Sequence, residues 1–590
     1  MRAVLPGWLL LSLVACGGGG GSSGSPPPSS GPPPPPPAAN LAPEVSLPNS
    51  DTQVVQFHTL DYDASQAGRT FRDAEGDAMT YEVIVGRSPM PEIMDPPPGV
   101  TVTGTRVTGA PQALNTIFVT IKASDSHGAG PQYDWFAITV DPNGAPRVAN
   151  AATPLLVQTG QAVSIDTTLG GTRFSDPEGD PLTYRVTTRG YPGISVNGTQ
   201  LSGSLSAIGA VEVTVTAEDP YGASTSDVFL IAAPGPVPGN PVLPSTPYDY
   251  KDESLPLPFV FKISSEDQIP LWDTQMDHRT TDAGAALGRV LFHDKRLSIT
   301  NTLACASCHQ RSHGFASPER FNTGVIGIPL KRNAMSLTNA RYNIHSAWFS
   351  DMRARRISEA ARQALTNADE MGAHPASLES KLRDTSFYPP LFEAAFGTSE
   401  ITSERALLAL EQYVQALISY RSKYDRACNH MENEPADCGA VLTAEEMRGA
   451  GIFEGQAGIT CRMCHGLAVV AMDWQANNGI DEVPTDPGIQ DPAMMRDGYP
   501  GKFRAASLRN IALTAPYMHD GRFATLREVI EHYDHGVKDS QALDPLLRNG
   551  LSGPLRMNLS EEDKNALEAF LRTLTDDEML TDPKFSDPFQ

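Results

Sequence analysis

Between residues 41 and 235 apolar and polar positions alternate with period two. Val119-Thr-Ile-Lys-Ala-Ser-Asp125 and Val213-Thr-Val-Thr-Ala-Glu-Asp219 show the pattern, with β-branched residues dominating and Gly, Pro or Asp at the turns. A strand sends successive side chains to opposite faces, so this alternation predicts antiparallel strands with one buried face. The pattern occurs twice. Phe71-Arg-Asp-Ala-Glu-Gly-Asp-Ala-Met-Thr-Tyr81 recurs as Phe174-Ser-Asp-Pro-Glu-Gly-Asp-Pro-Leu-Thr-Tyr184. With roughly 100 residues per copy, the repeat predicts two β-sandwich modules, 41–143 and 144–235. After residue 258 the period changes. Ala283 to Phe292, Ser403 to Ser419 and Ser560 to Leu574 read as helices, the last opened by the capping-box-like Ser560-Glu-Glu-Asp563. Strand signals become scarce. The fold class expected is therefore multidomain, two β-sandwich modules followed by a mainly α-helical region.

Segments without periodicity divide these parts. Residues 17–40 are nearly all Gly, Ser and Pro and cannot bury apolar surface, so they read as a flexible tether. A second Pro-rich linker covers 236–258. At the start, Met1-Arg2, an apolar run from Val4 to Leu13 and Leu13-Val-Ala-Cys16 read as an export signal, 1–16. The ending resembles a bacterial lipoprotein box, which implies lipidation at Cys16 and attachment to a membrane. Ordinary secretion with cleavage nearby is the alternative. Gly17, in place of Asp, favours an outer-membrane or cell-surface destination by the same resemblance. No later segment is apolar for the length of a membrane helix.

The formal charge of −24 argues against nucleic acid as a partner and favours a basic one. In the modules, Asp73, Glu75 and Asp77 with Asp125, and Asp176, Glu178 and Asp180 with Asp219, offer oxygen ligands for calcium or are solvated turn residues. The modules are expected to act as spacers or adhesion surfaces.

Two pentapeptides carry the chemistry: Cys305-Ala-Ser-Cys308-His309 and Cys461-Arg-Met-Cys464-His465. Cys-x-x-Cys-His is the attachment signature of c-type haem, with two thioethers and an adjacent histidine for the iron. Seven Cys and thirteen His in 590 residues predict roughly 0.002 copies by chance. A zinc site would need four ligands closing one tetrahedron, and neither motif is followed by a second pair at zinc spacing. Two covalently bound haems are expected. Covalent c-type haem and an export signal agree, since the haem is attached outside the cytoplasm. Cys428 and Cys438 remain, flanking a polar stretch, and in an oxidising compartment they are expected to form a disulfide.

The helical region resembles the bacterial di-haem cytochrome c peroxidases and their MauG-type relatives from about Ala283 to the C-terminus. The landmarks are Leu287-Gly-Arg-Val-Leu-Phe-His-Asp-Lys-Arg-Leu297, Cys305–His309, Arg332-Asn333, Asp369-Glu-Met-Gly372, Cys461–His465 and Ser507-Leu-Arg-Asn-Ile-Ala-Leu-Thr-Ala-Pro-Tyr-Met-His-Asp-Gly521. The pattern of the two β-modules resembles bacterial cadherin-like and immunoglobulin-like repeats. The peroxidase resemblance implies a peroxidatic haem lobe, 259–440, and an electron-transfer haem lobe, 441–590. It implies reduction of hydrogen peroxide with electrons from a small cytochrome or cupredoxin, relayed through the second haem. A MauG-like enzyme acting on a protein or organic substrate is the alternative. Further alternatives are an oxygen-using cleavage enzyme and a non-catalytic electron-transfer lipoprotein.

By the same resemblance His309 and His465 ligate the two irons and Glu370 is the distal acid–base carboxylate. The family's second, blocking histidine lies seven residues before the Arg-Asn pair, where this chain has Val325. That implies an open first iron, unless His313 or His345 reaches it. The family's Gln and Pro ten and six residues before the glutamate are Ala360 and Ala364 here. The second iron's other ligand falls at Tyr533, with His532, His535, Met518 and Met557 as alternatives. Trp348 and Phe349 fall near the family's inter-haem tryptophan. Asn333, Thr514 and Pro516 match its calcium ligands.

Overall fold

The computed structural model describes residues 40–86, 96–251, 279–342, 347–428, 438–456, 461–465, 475–490, 500–550 and 552–590. The export signal, the tether and Cys16 lie outside the described residues, as do His345, His430 and the end of the second linker. The chain divides into two compact units, Met1–Asn143 and Gly144–Gln590.

In the first unit a four-stranded sheet runs in the order Thr52–Val55, Gln132–Asp141, Thr116–Asp125, Met79–Gly86. A three-stranded sheet, Leu60–Asp63, Arg106–Gly109, Val100–Thr103, faces it across one core. Strand Thr116–Asp125 shows why the sequence folds this way. Ile117, Val119, Ile121 and Ala123 are completely buried, while Phe118 and Lys122 between them and Ser124 after them are half-exposed, and only Thr120 breaks the alternation. Residues Gly144–Ala233 of the second unit repeat both sheets with the same strand order. The acidic turn recurs as well. Asp73 accepts from the amides of Glu75 and Asp77, both at 2.9 Å, and Asp176 from those of Glu178 and Asp180 at 3.0 and 3.1 Å. The leading aspartate of each set thus closes its own turn.

The second copy departs from strict alternation. Residues 209–213 and 229–233 are buried without a break, so this end of the sheet is covered on both faces. Its outer face, with Ala210, Leu230 and Ala232, packs against Ile299, Val325 and Ile326 of the helical region. A free spacer would expose that face. The start of the second linker is also held down. The Gly235 amide donates to the Thr300 carbonyl at 2.8 Å, Arg296 donates to the Pro238 carbonyl and to that of Gly239 at 2.8 Å, and Tyr250 is buried with its hydroxyl on the Lys584 carbonyl.

The helical region has two main apolar clusters, one built on Leu287, Leu291, Phe292, Leu410 and Tyr413, the other on Phe453, Leu526, Ile530, Leu567 and Phe570. The first depends on the helix Asp282–His293, capped by the Thr281 side chain, lying against Ser403–Gln415. Gly288 permits their closeness, because a Cβ there would overlap the Ala409 carbonyl. Gly449 does the same for Ala444–Gly451 against Glu561–Arg572. Helix propensity alone favours Gly288→Ala by about 1 kcal/mol, but a clash with backbone has no side chain to yield. Gly288→Ala is expected to lose about 1–2 kcal/mol net, read as a lowered unfolding midpoint. An unchanged or raised midpoint would refute this packing. Among the described residues no helix is long and apolar enough to cross a membrane.

Candidate functional site

Among the described residues two cavities in the helical region are each lined by residues of one Cys-x-x-Cys-His motif. The first is walled by Cys305, Cys308 and His309 with Trp348, Glu370 and Met371. The short helix Cys305–Cys308 brings both sulfurs to one side. His309 follows it, and its Nδ1 lies 3.0 Å from the Phe315 carbonyl. A carbonyl can only accept, so Nδ1 carries the proton and the Nε2 lone pair is left for a metal. Phe315 presents that carbonyl from a left-handed conformation, φ 58°. Burial holds the imidazole below its usual pKa, so it stays neutral.

The second cavity repeats this arrangement. Cys461 and His465 line it, and His465 Nδ1 is 2.8 Å from the Ala506 carbonyl. Burial pushes Cys305 up to about 12, Cys308 to about 11, Cys461 to about 11 and Cys464 to about 12. Such thiols are held protonated, which does not suit a thiolate nucleophile or a redox pair. None of the four is in a disulfide. Half-buried thiols outside any disulfide, beside a histidine with a fixed tautomer, in a mostly apolar cavity, fit a covalently attached haem at each site.

Glu370 stands at the wall of the first cavity. It follows Asn367, whose side-chain amide donates to Glu370 Oε1 at 3.0 Å. Burial raises its pKa above the usual carboxylate value, Asp369 adds to the rise, and Asn367 and Arg353 oppose it. Ala360 and Ala364 lie on the same wall, leaving space where longer side chains would reach in. Trp348 is buried there too, and its Nε1 has no hydrogen-bond partner among the described residues. Arg353 lies over the Phe349 ring, 3.5 Å from its centroid. Val325 is 3% exposed and packed into the cluster beneath the β-sheet, away from the cavity. His313 is half-buried, its Nδ1 3.0 Å from the Ser312 hydroxyl, and does not line the cavity. Among the described residues His309 is the one histidine lining this cavity.

In the second cavity Tyr533, Met518 and Met557 all reach the wall. Burial pushes the Tyr533 hydroxyl up to about 12, with Asn478 bonding to it and opposing the rise. His532 Nε2 is 3.1 Å from the Asn478 carbonyl, and His535 is exposed beside Glu531 and Asp534, so neither lines the cavity. Asn333, Thr514 and Pro516 share one wall. The Asn333 amide donates to the Glu319 carbonyl at 2.9 Å and the Thr514 hydroxyl to that of Ile511 at 3.2 Å. Cys428 and Cys438 are joined in a disulfide.

Sequence reasoning missed the partition. Met335, Ser336, Arg504, Ala506 and Ser507 border both cavities. Arg504 ties them, donating to the Ala347 carbonyl at 3.0 Å, while its own amide donates to Ser350 at 2.9 Å. Nothing in Lys502-Phe-Arg504 marks that arginine. Arg332 was visible as half of the Arg-Asn landmark, but not its clamp on Asp351 and on Asp486 at 2.7 and 2.8 Å.

Comparison with known proteins places this arrangement. The family model described as di-haem cytochrome c peroxidase matches residues 282–433. The methylamine utilization protein MauG of Methylophilus methylotrophus is 31% identical over 332 residues, covering 54% of this chain and 90% of that protein. The cytochrome c551 peroxidase of Nitrosomonas europaea is 28% identical over 303 residues, covering 50% of this chain and 80% of its own. A crystal structure of a MauG-like protein associated with microbial copper homeostasis is 30% identical, with a TM-score of 0.47, covering 56% of this chain and all of its own.

Proposed function

The chain belongs to the di-haem cytochrome c peroxidase family, and we propose that its two cavities divide the work, the first meeting peroxide and the second passing electrons. Bound haem supplies a redox-active iron at each site. What the chain adds at the first is a neutral histidine that would hold the iron, a carboxylate at the wall and no blocking histidine among the described residues. The juxtaposition of Glu370 and His309 in one cavity carries this reading.

Glu370 suits proton transfer. A carboxylate with a raised pKa is nearer to the operating pH, where a group can both accept and return a proton. It would take a proton from one oxygen of peroxide and give it to the other, which leaves as water as the O–O bond breaks, with the bound haem supplying the two electrons that the remaining oxygen takes up. Asn367 holds one oxygen of the carboxylate and leaves the other for that task. Val325, where a blocking histidine would stand, is engaged elsewhere, which supports a site ready without prior reduction.

Tyr533 is proposed as the second ligand at the electron-transfer site, because it points into the cavity while its neighbouring histidines do not. A tyrosinate stabilises oxidised iron and lowers its potential. Tyr533→Phe is expected to change the low-spin haem spectrum and raise that potential. An unaltered spectrum would transfer the role to Met518 or Met557. Tyr533 also favours the MauG-like variant, in which a protein or organic substrate gives up electrons over a distance. Peroxide-dependent oxidation of a reduced small cytochrome or cupredoxin tests the plain peroxidase. Its absence, with peroxide still reacting, would favour the variant.

The helical region is proposed to be two haem lobes, 259–440 and 441–590, joined across the shared wall. Calcium at Asn333, Thr514 and Pro516, cadherin-like character for the β-modules, export and a lipid anchor at Cys16 complete the proposal.

A further inference from the structure

The covered end of the second β-module lies against the part of the helical region that carries Glu370. Two loops meet there. The Val325 amide donates to the Glu370 carbonyl at 2.9 Å, and the Ile299 amide to that of Met371 at 2.9 Å. The Val325 carbonyl in turn accepts from the Ala210 amide of the module at 3.1 Å. A hydrogen-bonded path of three residues therefore joins a module strand to the backbone of the distal carboxylate. Packing follows the same line. Gly372 has φ 59°, and a Cβ there would strike Leu230 of the module as well as crowd Val325 and Ile299.

Charge makes a third link. Arg189 is held on the sheet by Glu212, with Nη2 at 2.7 Å, and its Nη1 donates to Asp369, the residue before Glu370. Arg189 and Glu212 are a cross-strand pair. Aligning the copies through Tyr81 with Tyr184 and Val119 with Val213 puts Gly86 and Phe118 at the corresponding pair of the first copy. The charged pair is thus absent from the first copy. Glu212 is only 8% exposed, and a buried carboxylate is retained where it is paired.

We propose that the second β-module is a built-in support of the peroxide site, with Arg189 and the Ala210 amide holding the Asp369–Met371 turn and so positioning Glu370. The proposal rests on the reading of Glu370 given above. Arg189 is a positioning residue. It fixes the turn and offsets the Asp369 charge, one of the groups that bear on Glu370 together with Asn367 and Arg353. With Arg189 absent, Asp369 disfavours the ionised form of Glu370 more strongly.

The test uses the full-length haem protein. Amide hydrogen exchange in 322–330 and 367–372 is expected to quicken in Arg189→Gln and to stay near wild type in Arg189→Lys. The peroxide reaction is expected to slow about tenfold in Arg189→Gln. Its acid-side pH midpoint is expected to rise by about half a unit, with Arg189→Lys restoring it. Asp369→Asn leaves the Arg189–Glu212 pair intact and reads the link from the other side, so the variants do not share one route to misfolding. It is expected to quicken the same exchange and move the midpoint down. Wild-type exchange in both Arg189→Gln and Asp369→Asn overturns the support. Quickened exchange with unaltered kinetics upholds the support and overturns the role of Glu370.

Discussion

Glu370→Gln is expected to slow the reaction of the oxidised protein with peroxide by about 10²–10⁴-fold while both haems remain attached. The substitution keeps the shape of the side chain, and its oxygen still accepts from the Asn367 amide. What it removes is the capacity to take up a proton. The pH dependence separates this from a packing effect. Burial raises the Glu370 pKa, so in the wild type the base form is lost as pH falls through a midpoint above the usual carboxylate range. That acid limb should vanish in Glu370→Gln. Stability moves the other way. A carboxyl whose folded pKa is raised destabilises the folded protein as pH rises past its unfolded value, and Gln escapes this. The variant should therefore be at least as stable as the wild type at neutral pH. Equal rates at all pH values would dismiss Glu370 from the chemistry.

The double substitution Cys461→Ser with Cys464→Ser is expected to reduce covalent haem from two per chain to one, read by intact mass. The loss should reach beyond the cofactor. Phe453, Leu526, Ile530 and Leu567 belong to the second apolar cluster and also wall the second cavity, so the core here is the cradle of the haem. An unfilled cradle is a cavity, and its cost together with the lost binding energy is about 3 kcal/mol or more. The region should melt earlier than in the wild type, while Cys305 and Cys308 keep their haem. Retention of two covalent haems would refute the assignment of this motif.

Much of this was legible in the chain because it was local. The period-two runs and the repeated acidic turn gave strands in the same order twice, and the stretch from Ala283 to Phe292 lies within the helix Asp282–His293. The Cys-x-x-Cys-His motifs put three functional groups within five residues. Glu370 was different, since one carboxylate in a turn has no local signature and was found only through resemblance. The contact of Arg189 with Asp369 could not be read, because nothing near either residue names the other. A weak signal did exist. Phe229-Leu-Ile-Ala-Ala233 is a continuous apolar run where a half-exposed strand would alternate, which is what burial on both faces produces. The held start of the second linker escaped because Arg296 grips backbone carbonyls, which every sequence has.

The decisive measurement is stopped-flow absorption of the oxidised protein, as isolated, mixed with one equivalent of hydrogen peroxide. The account predicts a change in the Soret band during the first mixing, without prior reduction, and its suppression in Glu370→Gln. A spectrum that stays fixed until the protein is half-reduced, with both irons six-coordinate and low-spin at rest, would contradict it.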